Sequence, residues 1–438
     1  LTPAVALSSP ELGPALASLE PWLAIALFIL YYRHTTTITN TFTGYIASLP
    51  SQCTSPVIWT DTELQSLLSG SQLLSSVQSY RSYFQDRYAA LQSGLFAQYP
   101  DLFDTNTVFT YENFLWAVCS VRARVHPPLE GEQLAVVPLA DLTQHRRAAN
   151  SRWDVKKRGG VGGFFGVGGG SNNGNNNNKN KGGGGGGGGG ESLILIAEQA
   201  IQLGDPISVD FGPSKTDSQI LLDFGVHDST ARIPAFALTV ALSEEDRFFA
   251  DKADILEYNE QPLSGEHLLR GDAAPSDVLL STLRLLNLGG PDSFLMESIF
   301  RNEVWGHMQL PVSQENEENV YQSLINGCKS ALAGYSTSID IDLAALPGLY
   351  LGDGGGDEGD RNGNGSGSEG GKVWKERAAI SVRLAEKEAL DATLMYFESR
   401  IDRLQGMEYY ADRRLKRLGL LDDQGNSTWD GFFEDGIA

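Results

Sequence analysis

At 438 residues, with 41% hydrophobic and 20% charged side chains, the chain has material for two packed cores and the balance of a globular protein, which excludes a disordered or fibrous one. Thirty-three basic against 55 acidic side chains leave a formal net charge of −22, which repels a nucleic-acid backbone. Two small basic groups, Arg146, Arg147, Arg152, Lys156, Lys157 and Arg158, then Arg413, Arg414, Lys416 and Arg417, are too short to reverse that balance.

Residues 1–17 are rich in Pro, Ala and Ser and carry no periodic pattern; a chain that begins at Leu1 reads as a fragment or a processed product. From Ser18 to Arg33 the pattern is helical. Its apolar run PWLAIALFILYY, Pro21 to Tyr32, falls short of the ~20 residues needed to cross a bilayer, so a buried helix and no membrane association are expected. Thr60 or Asp61 caps a further helix, and helical stretches follow over about Ser76–Gln92 and Tyr111–Arg124. Cys53, Cys119 and Cys328 stand far apart with no CxxC spacing, so neither a disulfide framework nor a metal site follows; Cys119 reads as a small core residue.

Leu134–Leu139 (LAVVPL) is short, apolar and strand-like. Residues 159–190 are mostly Gly and Asn, and residues 352–371 repeat that composition with acids added, so both read as flexible insertions. Their chance GxGxxG matches carry no weight, because no strand-turn-helix context surrounds them. Leu193–Ala197, Ile207–Phe211 and Phe236–Leu242 read as strands, and the pattern turns helical from Ser276. Leu390, Leu394, Phe397, Ile401 and Leu404 alternate spacings of four and three, which predicts one face of a long amphipathic helix.

The segment EQLAVVPLADLTQH, Glu132 to His145, resembles the strand and tight turn that carry the cofactor-binding signature of Rubisco-type SET methyltransferases. Pro21–Leu30, Gly70–Leu74 (GSQLL), Trp116–Arg124 (WAVCSVRAR) and Ile207–Gly225 (ISVDFGPSKTDSQILLDFG) match in the same order. In the second half Leu283–His307 (LRLLNLGGPDSFLMESIFRNEVWGH), Cys328–Tyr335 (CKSALAGY) and Glu408–Leu420 (EYYADRRLKRLGL) are similar to that family's substrate-binding domain. The resemblance is to the plant and algal Rubisco-methyltransferase family and covers Ser18 to the C-terminus, apart from the two insertions.

The resemblance implies an α+β chain: a partial SET-type β fold with a helical insert over residues 1–230, then an all-helical substrate-binding domain over 231–438. It implies transfer of a methyl group from S-adenosyl-L-methionine to the amine of a lysine in a chloroplast protein such as Rubisco or an aldolase, by a monomer resident in the chloroplast. By the same match Gln144 and His145 contact the cofactor, with Gln144 standing where the family has Asn. Arg124, Asp141, Trp153 and Phe224 border the lysine channel. Phe211 occupies the place of the family's catalytic tyrosine, and Phe224 that of a second channel tyrosine; both lack the hydroxyl that orients an amine. Residues 1–17 contain no Gly-rich turn of the kind that wraps the cofactor's methionine end. A non-catalytic plastid protein-binding module derived from the family is therefore the alternative.

Overall fold

The computed structural model describes residues 1–35, 40–126, 134–157, 191–296, 303–351, 369–407 and 409–417. The expected insertion at 159–190 lies outside the described residues, as does 352–368 of the second one. Residues 369–371, assigned to that insertion by composition, instead open a helix.

The chain starts with two short helices, α1 (Pro3–Leu7) and α2 (Gly13–Leu16), followed by α3 (Pro21–His34). Every residue of α3 from Leu23 to Leu30 is buried, as its all-round apolar sequence requires. After α4 (Thr43–Ser48) comes α5 (Asp61–Leu68), which opens with a capping box. The Thr60 hydroxyl accepts from the Glu63 N–H at 3.2 Å while the Glu63 carboxylate accepts from the Thr60 N–H at 2.8 Å. The next helix, α6 (Gln72–Leu91), begins four residues before the expected Ser76, because the Ser71 side chain caps its first turn. Tyr111–Arg122 forms α7, and α3, α6 and α7 bury one large core that includes Phe84, Phe96, Phe103, Phe109 and Phe114.

The strands are short. Val125–His126 (β1) pairs antiparallel with Ala135–Val136 (β2), and Gln144–His145 (β3) pairs parallel with Ser208–Val209 (β6). Ser151–Lys157 (β4) and Glu191–Ala197 (β5) form an antiparallel pair whose register closes at Lys157 opposite Glu191. The expected strand at Leu134–Leu139 shrinks to β2, because Leu139 takes a positive φ of 74° and leads into a 3₁₀ turn, Ala140–Leu142. The one expected at Ile207–Phe211 shrinks to β6. Strand β4 falls inside the first basic group, where alternating charged residues hid it from the sequence reading.

Helix α8 (Asp217–Phe224) has a second capping box, Thr216 with Gln219, and ends at Gly225 in the left-handed region. Ala235–Ala241 (β7) then pairs antiparallel with Ser264–Arg270 (β8) across α9 (Phe249–Tyr258), so the second half, expected to be all-helical, opens with a two-stranded sheet before its helices. Helices α10 (Asp277–Leu286), α11 (Val304–His307), α12 (Gln314–Ala333), α13 (Ile339–Leu351), α14 (Glu369–Glu398) and α15 (Tyr410–Arg417) complete the chain. The long helix expected to carry all of Leu390 to Leu404 stops at Glu398, and Ile401–Leu404 form a separate 3₁₀ turn. Leu390 and Phe397 are nonetheless buried in one core, with Leu394 and Ile401 packed against it.

Helix α14 is shared by both halves. Ala378, Ala379 and Val382 join the core built on α3, α6 and α7, whereas Ala389, Leu390 and Phe397 join that of α10 and α12. Between these stretches Glu386 accepts from the Ser218 hydroxyl of α8 at 2.7 Å and from the Tyr335 hydroxyl at 2.8 Å.

Candidate functional site

Four segments distant in sequence converge on a cleft open to solvent. Its lining includes Arg124 from just beyond α7, Asp141 from the 3₁₀ turn, Phe211 after β6, and Phe224 from the last turn of α8. Pro50, Gln52 to Ser55, Cys119, Ala123 and Val226 complete the wall.

The aromatic side is tightly built. Trp153 of β4 stacks on Phe211, with ring centroids 5.2 Å apart at 21°, and Phe224 meets Phe211 edge to face at 5.3 Å. The buried His145 ring lies 5.2 Å from Phe211, and its Nδ1 accepts a hydrogen bond from the Phe211 main-chain N–H at 3.3 Å. That bond fixes Nδ1 as the unprotonated nitrogen in this arrangement. Gln144 is the neighbour of His145 on β3, and its main-chain N–H is committed to the carbonyl of Ile207 at 3.0 Å. The Gln144 main-chain N–H is therefore taken up within the sheet.

The polar side centres on Asp141, whose side chain is 4% exposed. One carboxylate oxygen, Oδ2, accepts from the Tyr45 hydroxyl at 2.7 Å and lies 3.3 Å from Arg124 Nε. Burial, reinforced by the Asp141 carboxylate, pushes the Tyr45 phenol far above its ordinary pKa, so it remains a donor at any physiological pH. The Thr54 hydroxyl donates to the Gly225 carbonyl at 2.6 Å and that of Ser55 to the Leu222 carbonyl at 3.0 Å, which ties this wall to the end of α8. Burial also raises the Cys53 and Cys119 thiols, so neither is a ready nucleophile; Cys119 is the core residue expected, and it also lines the cleft.

Below the cleft, charges hold β3, β6 and α8 in place. Arg147 reaches Asp217 at 2.7 Å, Asp210 at 3.3 Å and the carbonyls of Gly212 and Lys215. Asp228 accepts from the Arg147 N–H at 2.7 Å and pairs with Arg146 at 3.2 Å. Burial alone would raise the Asp228 pKa, but Thr230, the Arg147 N–H and Arg146 outweigh it and hold the carboxyl below its usual range. The basic residues 146 and 147 thus serve a structural charge network.

Of the residues singled out in sequence, Arg124, Asp141, Phe211 and Phe224 line one cleft, Trp153 and His145 pack against its Phe211 wall, and Gln144 sits one residue further along β3. Tyr45 escaped the sequence reading: it lies 96 residues before Asp141, and a lone Tyr on a six-residue helix carries no local signal.

This backbone matches a crystal structure of the SET domain of LSMT bound to lysine and AdoHcy, with a TM-score of 0.74 and 28% identity over 100% of this chain and 87% of that one. The fold is accordingly that of a SET-type methyltransferase joined to a helical lobe. The family described as Rubisco LSMT substrate-binding matches residues 243–390. The chloroplastic fructose-bisphosphate aldolase lysine N-methyltransferase of Arabidopsis thaliana is 30% identical over 96% of this chain and 77% of its own length. The chloroplastic Rubisco large-subunit N-methyltransferase of Nicotiana tabacum is likewise 30% identical, over 96% and 76%. The chain belongs to the Rubisco large-subunit methyltransferase family.

Proposed function

We propose that this chain is an S-adenosyl-L-methionine-dependent protein lysine N-methyltransferase acting on a chloroplast protein such as Rubisco or an aldolase. The observation that carries the reading is the meeting of Arg124, Asp141, Phe211 and Phe224, from four separate segments, in one cleft backed by His145 and Trp153.

The donor set suits an adenosyl group: the Gln144 amide offers both a donor and an acceptor, and His145 adds a buried imidazole fixed in one tautomer. When bound there, S-adenosyl-L-methionine supplies an electrophilic methyl group. This chain's residues have two tasks. They must hold the acceptor nitrogen in line, which accounts for much of the rate of a displacement, and they must favour its neutral form. The Phe211 and Phe224 rings with Val226 give an apolar wall that lowers an amine's pKa by desolvation, and the Arg124 charge acts in the same direction. Asp141 supplies an acceptor for an amine N–H; its negative charge works towards the protonated amine, and its ion pair with Arg124 offsets that.

The SET half is assigned to residues 1–230 and the helical substrate-binding half to 231–438, with α14 packed on both. The protein works as a monomer in the chloroplast, consistent with the chloroplastic relatives. Among the described residues no helix is long and apolar enough to cross a membrane.

The test is incorporation of label from S-adenosyl-L-methionine into Rubisco or aldolase by the full chain. Label on a lysine is expected. Its absence, with binding to either protein retained, would favour the second reading, a non-catalytic plastid protein-binding module, which the missing hydroxyls of Phe211 and Phe224 support.

A further inference from the structure

We infer that Tyr45 is a positioning residue for the methyl acceptor, acting through Asp141; the inference rests on the acceptor cleft proposed above. The 3₁₀ turn that carries Asp141 is poorly anchored by its own side chains. Leu139, which leads into it at φ 74°, is 76% exposed, and Leu142 is 67% exposed. A non-glycine residue at such a φ persists only where its surroundings hold it, and apolar packing does not do so here. Within the turn, the Thr143 hydroxyl donates to the Ala140 carbonyl at 2.8 Å.

The carboxylate ties the turn to α4 and to the residues after α7, beyond the strands that flank it. Its Oδ2 receives the Tyr45 hydroxyl at 2.7 Å and faces Arg124 Nε at 3.3 Å. Tyr45 is itself well placed to serve as an anchor, because its neighbour Ile46 on α4 is fully buried in the large core that α3 and α7 build. The Tyr45 hydrogen bond and the Arg124 ion pair meet on one oxygen and hold the carboxylate in place.

That placement matters because the aromatic side of the cleft cannot receive an acceptor N–H. Phe211 and Phe224 have no polar atom to receive one. An amine whose N–H bonds to a carboxylate of fixed orientation has its lone pair fixed as well. Loss of the Tyr45 hydroxyl removes a hydrogen bond that holds the carboxylate in place, and acceptor affinity falls with it.

The experiment compares the full chain with Tyr45→Phe, Asp141→Asn and the double variant. One readout is the Kd of L-lysine, measured by calorimetry with S-adenosylhomocysteine present; a second is KM and kcat for label transfer to Rubisco or aldolase. Tyr45→Phe should weaken L-lysine binding and raise KM about 10-fold, the loss typical of one hydrogen bond to a charged group, with kcat changed less. Added to Asp141→Asn, it should change either quantity by less than about 2-fold, because the two residues act as one unit. Asp141→Asn reads the same contact from the other side should Tyr45→Phe fold poorly.

Unchanged lysine binding and KM in Tyr45→Phe, or losses that multiply in the double variant, overturn the inference, as does a parent that binds no L-lysine. A parent that transfers no label but binds L-lysine in a Tyr45-dependent manner sustains the inference and removes the methyltransferase reading. Label transfer indifferent to Tyr45 does the reverse.

Discussion

Asp342→Asn should be among the most damaging single changes outside the cleft. The Asp342 carboxylate is buried on α13 and receives Arg383 Nη2 at 2.8 Å, Arg383 Nε at 3.1 Å, Lys387 Nζ at 2.8 Å and the Thr337 hydroxyl at 2.9 Å. The Arg383 and Lys387 side chains are only 7% and 2% exposed, so the substitution leaves two buried cations facing a neutral amide. Breaking such a group by removing its counter-charge costs about 3–5 kcal/mol, a large share of the roughly 5–15 kcal/mol that holds a domain folded. The effect spreads, because Arg383 also donates to the Leu67 carbonyl at the end of α5 and so joins α14 to the first half. Urea unfolding followed by far-UV circular dichroism and tryptophan fluorescence measures it. Adding Lys387→Met should recover part of the loss by removing one uncompensated charge. Burial acts to raise the Asp342 pKa, but Arg383 and Lys387 outweigh it and hold it low. The stabilisation is therefore present at and above the ordinary carboxylate range and fades as pH falls through the lowered value; Asp342→Asn should lack that acid limb. A cost below about 1 kcal/mol, or a further loss on adding Lys387→Met, would show that Asp342 does not hold the two cations in place.

Phe211→Tyr should raise label transfer, since a positioned hydroxyl in such a site is commonly worth ~10²-fold in rate; robust parent activity with no gain in the variant would show that another group fills the role. Burial raises the Glu386 carboxyl against the hydrogen bonds from Ser218 and Ser71, so its contribution is present at low pH and lost as pH rises through the raised value. Thermal melts at increasing pH should accordingly show Glu386→Gln gaining on the parent, and parallel curves would contradict this. Deleting residues 168–189 shortens the connection between Lys157 and Glu191, which already pair in the β4–β5 register. Because loop closure changes by only ~0.6 kcal/mol per doubling of length, the melting temperature should stay nearly constant, and a large drop would mean that the segment packs on the fold.

Much of the helical framework was legible locally. The Thr60 cap, the Tyr111 helix and the all-round apolar run of α3 follow from patterns a few residues long, and capping is a short-range interaction. Strands were less so. Charged residues interrupt β4 and polar ones β8, and each is defined by the partner across it rather than by its own alternation. Leu139 ended the Leu134–Leu139 strand early by taking a positive φ that a leucine rarely adopts.

The site divides in the same way. By itself the amino-acid sequence determined which residue types stand at the motif positions: an acid at 141, an imidazole at 145, and rings without hydroxyls at 211 and 224. Only the tertiary structure decided that these residues share one cleft, that Trp153 stacks on Phe211, and that the Gln144 N–H is already committed to Ile207. The pairing of Tyr45 with Asp141 belongs wholly to that second level. A hydrogen bond across 96 residues depends on how α4 and the 3₁₀ turn are brought together by the core beneath them, and no short-range pattern in the chain encodes that distance.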